Sequence, residues 1–168
     1  MNVDGLLLEL YGRIPELARR AVDGLDATSL AVRPAPDVNP IGWLVWHVAR
    51  VEDHHLSDVM DEDQLWTTTE WAARFGLDAD PNNTGYDHGP ADVERVRPDG
   101  PDALLGYLDA VGARTDAFLE ALTAADLDRV VDDRWDPPVT LGVRLVSVTD
   151  DALQHLGQAA YARGLLGG

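Results

Sequence analysis

The sequence predicts an all-α fold, specifically a four-helix bundle whose helices are joined by long crossover connections. Four segments repeat apolar residues at spacings of three and four, the period of a helix with one buried face. Two long segments rich in proline, glycine and aspartate separate some of them, and such connections cross a bundle rather than join neighbouring helices. No segment of convincing length alternates like a strand, and we expect one domain over residues 1–168.

The first two helices are separated by a proline-rich connection. Residues 3–21 carry one apolar stripe, and we expect a kink at Pro15 inside it. The following segment, DGLDATSLAVRPAPDVNP, is interpreted as a connection without an element of its own. At its end Asn39 suits an N-cap and Pro40 a first helical residue, so the second helix should run to about Met60.

The third helix follows a second long connection. Residues 61–100 show weak periodicity apart from a short helix expected over residues 69–75, and the stretch DADPNNTGYDHGP consists of residues typical of loops. Pro101 opens the third helix, whose apolar stripe extends to Leu122. Thr123 with Asp126 then predicts a capped turn over AADLDRV.

The fourth helix completes the predicted bundle. The segment VVDDRWDPPV before it is expected to be irregular, and Thr140 can cap the helix that follows. Its apolar positions continue to Leu166, and Gly167 and Gly168 are expected to end it.

Composition excludes several classes of partner and chemistry. The net charge of −17 should repel nucleic-acid phosphates and anionic membranes, and no apolar run is long enough to span a bilayer. The N-terminal MNVDGLLLELYGR lacks the pattern of a signal peptide, so we expect a cytoplasmic protein. Cysteine and lysine are absent and no G-x-S-x-G motif occurs, which excludes thiolate nucleophiles, Schiff-base lysines, cysteine metal sites and the usual serine hydrolases.

Histidines on two helices form a candidate metal site. His155 follows Asp151 by four residues, so the two side chains share one face of the fourth helix and can coordinate one cation. His47 supplies a third ligand if the second and fourth helices face each other. Two histidines and one carboxylate leave an open position, as in catalytic zinc sites. The spacing alone also suits a solvated acid–histidine pair and a histidine bonded within the core.

The remaining candidates are less suited to one ion. His54 lies two turns from His47, about 10.5 Å along the helix, and could line a cavity one layer away. Asp150 lies on another face of its helix, and His88 is expected in a loop facing water. Glu52 and His55 form one Glu-x-x-His unit, but a di-iron site needs two such units, so we reject it.

Two segments resemble a known superfamily. NPIGWLVWHVARVEDHH in the second helix and TDDALQHLGQAAYARGLL in the last helix resemble the DinB-like (YfiT-like) metal-binding four-helix bundles. The chain is most similar to the actinobacterial branch that includes the N-terminal domain of mycothiol-dependent maleylpyruvate isomerase. The specific parts are WLVWH and the pattern D-x-x-x-H-x-G-Q, and helix order and loop placement agree over the whole chain.

The resemblance implies roles for individual residues. Members of the superfamily bind one divalent ion through residues that match His47, Asp151 and His155, although many relatives have histidine where this chain has Asp151. Zn²⁺ is the expected ion, with Ni²⁺, Fe²⁺ and Mn²⁺ as alternatives. Trp43 and Trp46 are expected to pack against the site. Gly157 is expected to allow close helix packing and Gln158 to donate or accept a supporting hydrogen bond. Tyr161 and Arg163 are expected to contact a substrate or the end of a helix.

Two functions from different classes follow. The first is a thiol-dependent transferase or isomerase in which the ion activates a low-molecular-weight thiol for attack on a small electrophile. The absence of cysteine agrees with a sulfur supplied by a cosubstrate. The alternative is a non-catalytic metal-binding or stress-related regulatory bundle, which could be a homodimer. A metal-free packing module is the third option.

Overall fold

The computed structural model describes residues 1–167; Gly168, expected to help end the last helix, lies outside them. The described chain is mostly helical, as predicted, with one small two-stranded sheet. The elements in chain order are α1 (Val3–Tyr11), α2 (Arg13–Val22), α3 (Ala27–Leu30), α4 (Ile41–Met60), α5 (Leu65–Thr68), α6 (Trp71–Arg74), α7 (Pro90–Arg95), α8 (Pro101–Glu120), a 3₁₀ turn (Ala124–Asp128), β1 (Val130–Asp132), β2 (Val139–Thr140) and α9 (Leu141–Leu165).

The first predicted helix is divided in two, and the break lies at Gly12 rather than at Pro15. A proline has no backbone N–H to donate a hydrogen bond, and its ring crowds the carbonyl four residues earlier, which here belongs to Tyr11. The interruption therefore falls one turn before the proline, and Pro15 occupies the first turn of α2.

The connection before α4 contains a short helix that the sequence analysis missed. Asp26 caps α3, because its side chain accepts a hydrogen bond from the Ser29 backbone nitrogen at 2.8 Å. The prediction for the start of α4 was wrong by one residue. Pro40, not Asn39, is the N-cap: its backbone is extended and its carbonyl accepts the first helical bond from Leu44.

The connection from α4 to α8 is more helical than predicted. The short helix expected over residues 69–75 is present as α6, while α5 and α7 were not foreseen. At α7, Gly89 is the N-cap and its backbone nitrogen donates to the Asp92 carboxylate at 3.1 Å. Pro90 follows at the first helical position, so this start signal lay within the stretch interpreted as loop.

The capped turn and the last helix agree with prediction, but the segment between them does not. Thr123 donates from both its nitrogen and its hydroxyl to Asp126, and Thr140 caps α9. The segment predicted to be irregular forms an antiparallel hairpin in which Val130 pairs with Thr140. Strands of two and three residues are too short to show alternation in a sequence.

Helix α4 lies at the centre of the fold. It packs mainly against α9 and α8, while α1 and α2 cover α8 and α9. Every residue from 41 to 53 is buried, which explains why this helix is apolar on most sides rather than along one stripe. The contact between α4 and α9 positions the site described below. Within residues 1–167, every helix is too short or too polar to cross a membrane.

Candidate metal centre

The packing of α4 against α9 brings together the three predicted ligands. Asp151 and His155 lie one turn apart on α9, and His47 faces them from α4. One candidate ligand atom from each residue lies within 4.8 Å of the other two. The His47 side chain is only 2% exposed, while those of Asp151 and His155 are about one-fifth exposed, at 19% and 20%. The group is therefore covered on the α4 side and reachable from the α9 side.

Backbone carbonyls fix which ring nitrogens point into the centre. The Nδ1 of His47 lies 2.6 Å from the carbonyl oxygen of Thr84, and the Nδ1 of His155 lies 2.8 Å from that of Asp151. A carbonyl oxygen only accepts, so each Nδ1 carries the proton and donates it. Each Nε2 then keeps its lone pair, which is the form of histidine that binds metals.

The Asp151 carboxylate faces both rings without a hydrogen bond of its own. Its Oδ2 lies 3.6 Å from the Nε2 of His47 and 3.4 Å from the Nδ1 of His155. Among the described residues it is a buried oxygen with no hydrogen-bond partner. An unpaired anionic oxygen that lies beside the free Nε2 of His47 and next to the His155 ring suits a divalent cation, and three ligands leave an open position. The chemistry of the donor set therefore fits a metal ion.

Asp151 and His155 shift each other's pKa. Burial raises the pKa of the Asp151 carboxyl, but contacts with His155 and His47 outweigh it and hold that pKa well below its usual range. Burial lowers the pKa of His155, while its bonds to Asp151 act in the opposite direction and leave it above the ordinary value. Asp151 is therefore an anion at neutral pH, as a metal ligand must be.

Trp43 covers one side of the centre, as the resemblance implied. Its ring stacks on His47 with centroids 4.8 Å apart and an interplanar angle of 9°. Its indole nitrogen donates to the Nδ1 of His88 at 3.0 Å, and the Nε2 of His88 donates in turn to the Asn83 side chain at 2.8 Å. The prediction that His88 faces water was wrong, because this half-buried ring bonds Trp43 and stacks on Trp46.

Gly85 is a functional candidate that the sequence analysis missed. Its φ of +100° favours glycine, and a Cβ there would lie 2.8 Å from the Nδ1 of His47. The same Cβ would lie 2.9 Å from Trp43 and 3.0 Å from Trp46. Only a residue without a side chain allows the backbone to approach His47 this closely. The sequence signal was the Thr-Gly-Tyr within a stretch interpreted as loop.

Tyr86 borders the centre on the same segment. Its ring meets His47 edge to face with centroids 5.2 Å apart, and the residue is 58% exposed. Burial, with a smaller effect of Asp151, raises the pKa of Tyr86 to about 12. The phenol is therefore neutral at physiological pH and can donate a hydrogen bond to a molecule bound beside His47.

Four residues were suggested for substrate or supporting contacts, and the structure describes other contacts or surroundings for each of them. His54 contacts the carbonyl oxygen of Pro81 at 3.2 Å and the amide of Gln64 at 3.1 Å. Arg163 bonds the carbonyls of Arg20 and Ala21 at the end of α2, which is a helix-end role. Two of the four are exposed and border an open groove on α9, namely Gln158 and Tyr161.

The prediction for Gly157 was wrong. This glycine is exposed, and a Cβ added to it would meet no atom within 4 Å, so it does not serve close helix packing. Its place on α9 next to Gln158 leaves it on the same open groove. The small residue is therefore not explained by contacts within the described chain.

Glu52 and His55, the Glu-x-x-His pair, lie in different surroundings. Glu52 is buried and accepts from the Thr115 hydroxyl at 2.7 Å, and burial raises its pKa to about 7. His55 instead accepts from Arg144 at 3.1 Å, and burial together with that arginine lowers its pKa to about 4. The two side chains therefore serve separate contacts.

Comparisons with known proteins identify a family and a solved structure to which this chain is similar. A family model described as Mycothiol-S-transferase matches residues 13–168. A solved structure titled "Crystal structure of the conserved protein of locus from Enterococcus faecalis" has 34% sequence identity and a TM-score of 0.91. That likeness covers 100% of this chain and 99% of the other. No curated protein matches the chain.

Proposed function

The chain belongs to the mycothiol-S-transferase family, a DinB-like family, and we propose that it joins a low-molecular-weight thiol of the mycothiol type to a small electrophile. The family supports the thiol, since it is named for mycothiol. The absence of cysteine from the whole chain supports a nucleophilic sulfur that comes from the cosubstrate. The electrophile is proposed only as a class, namely a small molecule whose carbon is polarised or bears a displaceable leaving group.

The proposal assigns one divalent ion, Zn²⁺ first, to His47, Asp151 and His155. The observation that carries it is the buried Oδ2 of Asp151, which has no hydrogen-bond partner among the described residues and faces two imidazoles. When a thiol binds at the open position of such an ion, its pKa falls and it reacts as the thiolate. Ni²⁺, Fe²⁺ and Mn²⁺ remain alternatives, because imidazole and carboxylate ligands suit them too.

The residues of the chain contribute orientation and shielding. The Thr84 carbonyl holds the His47 ring with its Nε2 lone pair free, and the stacked Trp43 excludes water from one face of that ring. Asp151 stays anionic, and the partial exposure of Asp151 and His155 supports entry of a thiol from the α9 side. In the reaction the sulfur bonds to the electrophilic carbon, the thiol proton passes to solvent, and any leaving group departs with its electron pair.

The same proposal takes residues 1–168 as one DinB-like domain. The pair α1 and α2, together with α4, α8 and α9, would be the four helices of the bundle. The mutual packing of these helices and the long connections on either side of α4 support this arrangement.

A thiol-transfer assay tests the proposed function. Protein loaded with Zn²⁺ is incubated with mycothiol and an activated aryl chloride, and the thioether product is followed by absorbance. We expect turnover by the parent and loss of turnover in Asp151→Asn, which keeps the size of the side chain but removes the anion. Asp150→Asn serves as a matched control, because the adjacent Asp150 carboxylate accepts a bond from Gln154 at 2.8 Å instead of facing the centre.

The outcomes separate the two functions considered. Turnover that requires the metal and Asp151 supports the transferase. Stoichiometric Zn²⁺ binding without transfer to any electrophile of this class would instead support a non-catalytic metal-binding protein.

A further inference from the structure

Arg50 is a fully buried charged residue one turn beyond His47 on α4. Its exposure is 0%, and its guanidinium lies 4.8 Å from the ring centroid of Trp66. Burying a guanidinium is costly unless each of its donors is satisfied. Asp53 supplies a counter-charge only at 3.4 Å, while Asp53 itself has a closer ion pair with Arg114 at 2.7 Å. The shorter bonds of Arg50 lie elsewhere.

Two of those shorter bonds reach the segment of residues 81–88. The Nε of Arg50 donates to the carbonyl oxygen of Asn83 at 3.0 Å, and its NH2 group donates to that of Pro81 at 3.2 Å. The NH2 group also bonds the Gln64 side chain at 2.9 Å. The flat fork of the guanidinium, with several donors at fixed angles, makes these contacts together.

The next carbonyl along that segment orients His47. Thr84 follows Asn83 directly, and its carbonyl oxygen accepts the proton of the His47 Nδ1 at 2.6 Å. Because peptide units are planar and joined at single Cα atoms, fixing the Asn83 carbonyl restricts the Thr84 carbonyl. Gly85 follows in close contact with the same ring. The position of the segment thus determines which nitrogen of His47 faces Asp151.

We propose that Arg50 is a positioning residue for the metal centre: by clamping the Pro81 and Asn83 carbonyls it keeps His47 in the tautomer with a free Nε2. This inference rests on the proposed function, since it assumes that His47 binds the ion through Nε2. It predicts that the clamp acts before any metal is bound, so its effect is measurable in the metal-free protein.

The test uses Arg50→Lys, which keeps the buried charge but cannot span both carbonyls with one planar group. In metal-free protein, two-bond ¹⁵N–¹H couplings of the His47 ring report which nitrogen is protonated. We expect Nδ1–H in the parent and a substantial Nε2–H population in the variant. Zn²⁺ affinity, measured by competition with a chelator, should fall by about tenfold or more, as for other residues that support a metal ligand.

Tyr107→Phe is the matched control within the same buried network. The Tyr107 hydroxyl accepts from Arg50 at 3.0 Å and donates to Asp53 at 2.7 Å, but it does not contact residues 81–88 through those bonds. We expect this variant to be less stable than the parent and to keep the parent's His47 tautomer and Zn²⁺ affinity. If Arg50→Lys does not fold, Arg50→Gln, which carries no charge and can reach one carbonyl at most, replaces it.

Each outcome decides the matter. A folded Arg50 variant with the parent's tautomer and Zn²⁺ affinity would overturn the inference. Equal losses in the Arg50 and Tyr107 variants would also overturn it, because they would show a general effect on stability. A parent that binds no Zn²⁺ while the Arg50 variant still shifts the His47 tautomer would refute the proposed metal site and leave the clamp standing.

Discussion

Replacing Gly85 by alanine places a methyl group against the ring of His47. The new Cβ would lie 2.8 Å from the His47 Nδ1, whereas ordinary contact begins at 3.4 Å. Trp43 and Trp46 stand as close on the other sides, at 2.9 Å and 3.0 Å. The ring or the segment must therefore shift by about 0.6 Å, the difference between 2.8 Å and 3.4 Å, and the Thr84 bond to His47 would be broken or lengthened.

The size of the effect follows from two costs. A side chain at positive φ costs about 1–2 kcal/mol, and overfilling a well-packed site costs about 1–3 kcal/mol. Gly85→Ala should therefore lower the free energy of unfolding by about 2–5 kcal/mol. Because the shift falls on a candidate ligand, Zn²⁺ affinity should also fall, by about tenfold or more.

Gly24 provides a matched control. It has a φ of +72°, and a Cβ added there meets no atom within 4 Å. Gly24→Ala should therefore cost only the backbone term of about 1–2 kcal/mol and leave Zn²⁺ affinity unchanged. Urea unfolding of the metal-free proteins and chelator competition measure the two quantities. If Gly85→Ala matched Gly24→Ala in both stability and affinity, the close contact with His47 would have no consequence and the reasoning would be wrong.

Three further predictions concern ligands and pH. His155→Ala should lose the metal while His54→Ala keeps it, as elemental analysis of both variants will show; the reverse pattern would contradict the ligand assignment. Bound Zn²⁺ should dissociate as the pH falls below about 6.5, because protons compete for the imidazoles, so full retention at about pH 4 would exclude histidine ligands. Burial raises the pKa of Glu52 from 4.5 to about 7, so the parent loses stability as the pH rises through this range. Relative to the parent, Glu52→Gln should gain about 3 kcal/mol between about pH 4.5 and pH 8 in urea unfolding, and a difference independent of pH would refute this.

The helical part of the site could be predicted because helix geometry is periodic. Asp151 and His155 are four residues apart, so they share a face in any α-helix, and His47 was proposed as their partner on the condition that the second and fourth helices face each other. The start of α9 at Thr140 and the capped turn at Thr123 were likewise local signals with a defined hydrogen bond.

The contribution of residues 81–88 could not be predicted, because it depends on backbone groups brought in across the fold. The Thr84 carbonyl carries no signal of its own in a sequence, and Gly85 resembled an ordinary loop glycine. The role of Arg50 likewise depends on carbonyl groups of this distant segment, which a sequence pattern does not reveal. For the same reason His88 was assigned to solvent, although its bond to Trp43 joins residues 45 positions apart.

The central claim is that His47, Asp151 and His155 hold one divalent ion, and a Zn²⁺ titration of the metal-free protein tests it most directly. Isothermal titration calorimetry of the parent should give one equivalent per chain, and Asp151→Asn should bind far more weakly, because the unpartnered buried oxygen then loses its charge. No saturable binding to the parent, or binding to Asp151→Asn as tight as to the parent, would contradict the account.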